Sequence, residues 1–185
     1  MTCIVGIVHK GSVVIGGDSA GVGGYDMQIR ADRKVFRNGS LIMGFTSSFR
    51  MGQLLAVKLT PPRHHPDDDL WRYMVGPFVD EVRTVLSAGG YSKKENNVEE
   101  GGCFLVGFRG RLFQIESDFQ VGERTDGFSA VGCGEAYALG SLAETDGRAP
   151  DVRVRRALAA AERFSAGVRG PFHIETLDEV AQVRQ

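Results

Sequence analysis

The hydrophobic pattern opens with two apolar, β-branched runs, residues 2–9 (TCIVGIVH) and 12–19 (SVVIGGDS), separated by Lys10-Gly11. Runs of this kind around a short polar-glycine break predict a hairpin. Apolar side chains fill nearly every position instead of every second one, so the sheet they enter is covered on both faces. Residues 21–28 (GVGGYDMQ) interrupt the pattern and read as a glycine-rich loop. A second hairpin follows, from 34–37 (KVFR) through Asn38-Gly39, a strong turn signal, to 41–48 (LIMGFTSS).

The period then changes. Residues 49–59 (FRMGQLLAVKL) predict a helix stopped by Pro61-Pro62. After the loop 61–69, Asp67 to Asp69 suit a helix N-terminus, where carboxylates meet unpaired N–H groups. Leu70, Met74, Phe78, Val82 and Leu86 form a helical stripe that Gly76-Pro77 kinks or cuts; Trp71 and Tyr73 are interface or core candidates, and the stripe favours core. Residues 89–102 read as a polar loop, and 103–117 as a hairpin turning at Arg109-Gly110. A strand over 127–134 runs into a helix over 135–144. Pro150 opens a last helix that places Val154, Leu158, Ala161 and Phe164 or Ser165 on one face, and 172–177 closes as a strand. This order lacks βαβ alternation, which excludes a doubly wound sheet. It predicts an α+β fold, antiparallel sheets with helices segregated onto outer faces.

Composition narrows the class. The 185 residues fit one domain, 1–185, with 42% apolar content and a formal net charge of −1. That balance gives no push toward nucleic acid or membrane. Cys3, Cys103 and Cys133 form no CxxC pair, which fits a reducing cytoplasmic location. No Lys or Arg precedes the first apolar run, and no run approaches the roughly 20 residues of a bilayer span. Glycine, 25 of 185, is well above the average of about 7% and implies tight turns and close backbone approach.

Three places carry candidate chemistry. Residues 17–21 (GDSAG) resemble the segment around a trypsin-like serine, but only His9 precedes them as an imidazole and no carboxylate lies upstream of Asp18. Taken singly, Asp18-Ser19 is a turn, Lys34 a surface lysine and Thr2 a strand residue. Taken together they are complementary. With Met1 removed, Thr2 carries a hydroxyl and a free α-amine that serves as its base. An α-amine titrates near about 7.7–8.0, and a nearby ammonium disfavours its protonated form. Lys34 supplies that charge, and a buried lysine needs a carboxylate such as Asp18.

Thr2, "GGDS" (16–19), "ADRKV" (31–35) and "GF" (44–45) at these spacings resemble the proteasome β-subunit family, most of all HslV-type peptidases. The resemblance is strongest over 2–55 and returns at "SAVGCGEAYAL" (129–139). It implies a four-layer αββα sandwich with two antiparallel sheets between helix layers, the fold of N-terminal-nucleophile hydrolases. It implies Thr2 as nucleophile, Asp18 as the partner of the lysine, and Lys34 as its electrostatic tuner. A backbone N–H on the loop Thr46, Ser47, Ser48 would hold the oxyanion, provided the serine there has ordinary φ/ψ. Ala20 and Gly21 join that loop as substrate-binding candidates, small enough to admit several side chains. Cys133 stands where the family usually has serine, and Ser165 is the hydroxyl near the end of the last helix. The implied activity is threonine endopeptidase action on polypeptides, with no metal or cofactor. The implied assembly is a six- or seven-fold homo-oligomeric ring fed by an AAA+ ATPase. A non-catalytic ring or scaffold subunit, and an amidohydrolase acting on a small amide, are the alternatives.

Overall fold

The computed structural model describes residues 1–95 and 98–178. Positions 96 and 97 of the expected polar loop, and 179–185 of the expected domain span, lie outside them.

Strands β1 (Ile4–His9) and β2 (Ser12–Gly17) pair antiparallel, and Lys10 and Gly11 both take positive φ, 49° and 79°. This is the primed turn geometry that matches the right-handed twist of a hairpin. Residues 20–29 correct the sequence reading. The expected glycine-rich loop is a hairpin, β3 (Ala20–Gly23) and β4 (Asp26–Ile29). Every residue of β4 is exposed, so no buried face imprints an alternating pattern on this stretch. Strands β5 (Val35–Asn38) and β6 (Leu41–Phe45) form the next hairpin as expected.

Ser48 caps helix α1 (Phe49–Val57), its hydroxyl accepting from Arg50 N–H at 3.1 Å. Asp69 caps α2 (Leu70–Tyr73), accepting from Arg72 N–H at 2.7 Å. The helix then passes through a π-helical turn, Met74–Phe78, into α3 (Val79–Ala88). Pro77 lies in that turn. Proline has no N–H to give the preceding turn, and the wider turn accommodates the loss without ending the helix. The stripe Met74, Phe78, Val82, Leu86 is buried, and so is Tyr73, but Trp71 is 41% exposed and is not core. Part of the expected 89–102 loop is a second small hairpin, β7 (Lys93–Glu95) with β8 (Val98–Glu100). Next come β9 (Phe104–Phe108), β10 (Arg111–Ile115), the short β11 (Val121–Gly122) and β12 (Phe128–Val131). Helices α4 (Glu135–Glu144) and α5 (Pro150–Phe164) and strand β13 (His173–Leu177) complete the chain. On α5 the buried face ends at Ala161; Phe164 is exposed and its ring lies 5.6 Å from that of Tyr137.

Two antiparallel sheets result, one ordered β12-β1-β2-β13 and the other β11-β10-β9-β6-β5. Alternation along each strand sorts side chains between three apolar clusters. Val5, Ile7 and Val14 pack with Val154, Leu158 and Ala161 of α5. Met43, Phe45 and Val106 pack with Leu55 of α1 and Phe78 and Leu86 of the long helix. The opposite faces, Ile4 and Ile15 from one sheet and Ile42 and Leu105 from the other, meet each other. Burial on both faces explains the near-continuous apolar runs. Close contact between the sheets explains part of the glycine excess. A Cβ on Gly44 would lie 2.5 Å from Ile4 Cγ2 and 3.0 Å from Ile15 Cγ2. No helix among the described residues is long and apolar enough to cross a membrane.

The topology brings chemistry to one end. Ile4 pairs with both Gly17 and Val131, Val35 with Gly44, and Phe45 with Phe104. Residues just beyond these pairs, 2, 18, 34, 46 and 132, therefore gather at the same edge of the two sheets. Gly44→Ala is expected to lower stability by about 1–3 kcal/mol, because the added methyl overpacks this interface. Urea denaturation measures it; an unchanged midpoint would contradict the close approach.

Candidate active site

Asp18 follows β2 and is fully enclosed, with 1% of its surface exposed. One carboxylate oxygen accepts from Cys3 N–H at 3.0 Å and from Lys34 Nζ at 2.9 Å. The other accepts from Ala20 N–H at 2.9 Å and Arg169 N–H at 3.3 Å. Asp18 thus ties the start of β1, the start of β3 and the segment before β13 to one charge. Lys34, also 1% exposed, divides its ammonium between Asp18 and Thr2 Oγ1, which is likewise 2.9 Å away. Desolvation pushes the lysine below its ordinary pKa, and the pull of Asp18 offsets only part of that. The Phe49 ring, 5.6 Å from Nζ, adds a cation–π contact from the first residue of α1.

Thr2 is 4% exposed. Its N–H donates to Cys133 Sγ at 3.3 Å, the Cys133 thiol donates to Thr2 O at 3.4 Å, and the Ser165 hydroxyl donates to Cys133 Sγ at 3.3 Å. Cys133 therefore stands beside the Thr2 nitrogen, and Ser165 stands behind Cys133. Gly132 has φ 98°, and a Cβ there would lie 2.3 Å from Thr2 O, so only glycine lets the chain pass this carbonyl. Met1 is attached: Thr2 Oγ1 donates to Met1 O at 2.5 Å, and the Met1 side chain rests against Gly167. While that peptide bond stands, the Thr2 nitrogen is an amide and has no basicity to offer. Glu162, near the end of α5, accepts from Gly170 N–H at 2.8 Å and is committed to that turn.

The loop after β6 differs from expectation. Thr46 N–H donates to Cys103 O at 3.1 Å and Ser48 N–H to Thr46 O at 2.7 Å. The second bond closes a γ-turn centred on Ser47, whose φ is 64°. Ser47 therefore lacks the ordinary conformation required of it. A non-glycine residue in such a sparsely populated region costs on the order of 1–3 kcal/mol. The Ser47 hydroxyl accepts from Cys103 N–H at 3.1 Å, which helps to hold the turn. Of the three loop N–H groups, that of Ser47 alone has no acceptor among the described residues. Ala20 is buried and its N–H is given to Asp18. Gly21 lines an open cleft of about 390 Å³ with Arg30 and Phe49. There the Arg30 guanidinium lies 4.0 Å over the Phe49 ring and is held by both oxygens of Asp32.

Sequence reasoning missed Phe49, Arg30 and the Arg169 N–H. The Arg30/Asp32 spacing was a readable charge pair; the other two contacts join distant segments and leave no local signal. Among the described residues, no group of three or more His, Cys, Asp or Glu side chains is arranged to hold a metal ion. The chemistry on offer is a hydroxyl held by a buried ammonium, three bonds away from the backbone nitrogen of the same residue.

No family model and no curated protein matches the sequence. Solved structures do match. BPH from Thiobacillus denitrificans is similar at TM-score 0.79 and 20% identity, over 96% of this chain and 98% of that one; a second structure of it is in complex with epoxomicin. HslV from Trypanosoma brucei is similar at TM-score 0.75 and 21% identity, over 96% and 99%. Anbu, an ancestral β-subunit, from Yersinia bercovieri is similar at TM-score 0.67 and 16% identity, over 96% and 82%. The chain shares the fold of these HslV- and proteasome-type structures.

Proposed function

We propose that the protein is a threonine endopeptidase, with residues 1–185 forming a single four-layer αββα domain of the N-terminal-nucleophile type. The observation that carries this reading is the buried ammonium of Lys34, 2.9 Å from both Thr2 Oγ1 and Asp18. A lysine this enclosed is costly, and its position is what a threonine nucleophile requires.

The reaction begins once Met1 has left. Thr2 Oγ attacks a peptide carbonyl carbon, and its proton passes to the Thr2 α-amine. The carbonyl oxygen takes the negative charge and accepts from Ser47 N–H. The C–N bond breaks as the α-ammonium protonates the departing amine, leaving an acyl ester on Oγ. Water then attacks the ester and gives a proton to the amine. Collapse releases the carboxylic acid and restores the hydroxyl. Lys34 stabilises developing charge on Oγ and disfavours protonation of the amine; Cys133 and Ser165 position that nitrogen. Gly21, Thr46, Ser47 and Ser48 border the path of the substrate in this reading, whereas Ala20 is buried and bonds Asp18 instead.

The fold also supports assembly into a six- or seven-membered homo-oligomeric ring whose sites face an inner chamber. Polypeptide substrates would be delivered there by an AAA+ ATPase in the cytoplasm. A second reading, a non-catalytic ring subunit, is favoured by one observation: Ser47, on the loop proposed to hold the oxyanion, departs from ordinary φ/ψ.

Hydrolysis of fluorogenic peptide amides separates the two. The parent chain is expected to turn them over and Thr2→Ala to fall to background; equal rates would remove Thr2 as nucleophile. Turnover by the parent of small amides alone would favour an amidohydrolase. Because the base must be neutral, kcat/KM should rise with pH through an apparent pKa below about 8. Lys34→Met should move that limb to higher pH and lower kcat; an unmoved limb would remove the tuning role. Asp18→Ala leaves the Lys34 ammonium buried without a partner and is expected to cost about 3–5 kcal/mol in urea denaturation. A cost under about 1 kcal/mol, the range of exposed pairs, would contradict the enclosed ion pair.

A further inference from the structure

At the end of the sheets remote from Thr2, the β5–β6 turn, the loop 61–66 and the β9–β10 turn enclose a cavity of about 590 Å³. Its wall carries Arg37, Arg63, Arg109, His64 and His65, and no carboxylate. Among the described residues none of the three guanidiniums has an acidic partner. Arg37 gives one N–H to the Thr176 carbonyl. Arg109 leans toward the Phe108 ring, 5.6 Å from guanidinium to ring centre, and its Nε–H is buried without an acceptor. Nδ1 of His64 is buried and unpartnered as well.

The wall is built to hold these groups. The His64 ring is fixed edge-on against Tyr73 and Phe108, at 4.9 and 5.7 Å between ring centres. The Tyr73 hydroxyl donates to Pro62 O at 2.7 Å and pins the loop that carries both histidines. His64 Nε2 lies 3.2 Å from Asp68 O, and His65 N–H donates to the Asp68 carboxylate at 3.3 Å. Asp68 thus stands behind the histidines and touches no guanidinium.

A buried donor on a permanently charged group is expensive when it has no acceptor. Three guanidiniums facing one space without a counter-charge also repel one another. A ligand bearing several oxygen anions answers both costs, and the fork of arginine donors matches phosphate and carboxylate geometry. The volume lies within the range of small-molecule sites. We propose that this cavity is a binding site for a small polyanion, held through phosphate or carboxylate oxygens and separate from Thr2.

Titration calorimetry on the full chain with pyrophosphate and with citrate tests this and distinguishes the two oxyanion sources. The expected result is saturable binding of at least one of them, one per chain. Arg109→Gln and Arg63→Gln should each weaken it about tenfold or more, the worth of a charge-assisted hydrogen bond. Arg63 lies in an exposed loop, so its variant keeps the test valid if the Arg109 turn fails to fold. Arg155→Gln, on the exposed face of α5, should bind as the parent does. Absence of saturable binding by either anion below about 10 mM would overturn the proposal. Equal weakening by all three variants would overturn it too, since that is diffuse surface charge and not a site.

Discussion

The buried pair of Lys34 and Asp18 is the constraint around which this molecule is arranged. Neither charge has solvent, so each depends on the other and on groups that the fold must bring to it. Asp18 takes three backbone N–H groups from three segments as well as the ammonium. Those bonds fix where β1 starts, where β2 ends and where the chain re-enters before β13. The lysine then has a second donor direction to spend, and it spends it on Thr2 Oγ1. The candidate nucleophile is positioned by the same interaction that makes the burial tolerable.

The architecture around that pair follows from two sheets pressed together through their inner faces. Their strands read clearly in sequence because burial on both sides forces apolar runs, and because Asn38-Gly39 and Arg109-Gly110 mark the turns. The long helix was legible from its stripe through Leu86, but the outcome at Pro77, a π turn instead of a break, was not. Sequence periodicity does not encode which of the two a proline produces. The β3–β4 hairpin left no trace because its second strand is exposed along its length. Thr2, Asp18 and Lys34 were legible because each has a distinct chemical role. Cys133 and Ser165 were singled out only through the family resemblance. The arginine cavity was not legible, because it is assembled from segments far apart in the chain, by residues unremarkable where they stand.

Two features set the site apart from a simple hydroxyl–lysine–carboxylate arrangement. Ser47 occupies a strained γ-turn and exposes the one uncommitted N–H of its loop. A hydrogen bond from Cys103 N–H to the Ser47 hydroxyl helps to hold that turn. Met1, by contrast, acylates the nitrogen that the proposed mechanism uses as base, and its carbonyl receives the hydroxyl's hydrogen bond.

The central claim is therefore a statement about one covalent bond. Mass-spectrometric sequencing of the N-terminal peptide, on protein purified in a form that hydrolyses peptides, tests it most directly. The account predicts a chain that begins at Thr2 with a free α-amine. An active preparation whose chains keep Met1 would contradict it, because the Thr2 nitrogen would then be an amide and the hydroxyl would have no base.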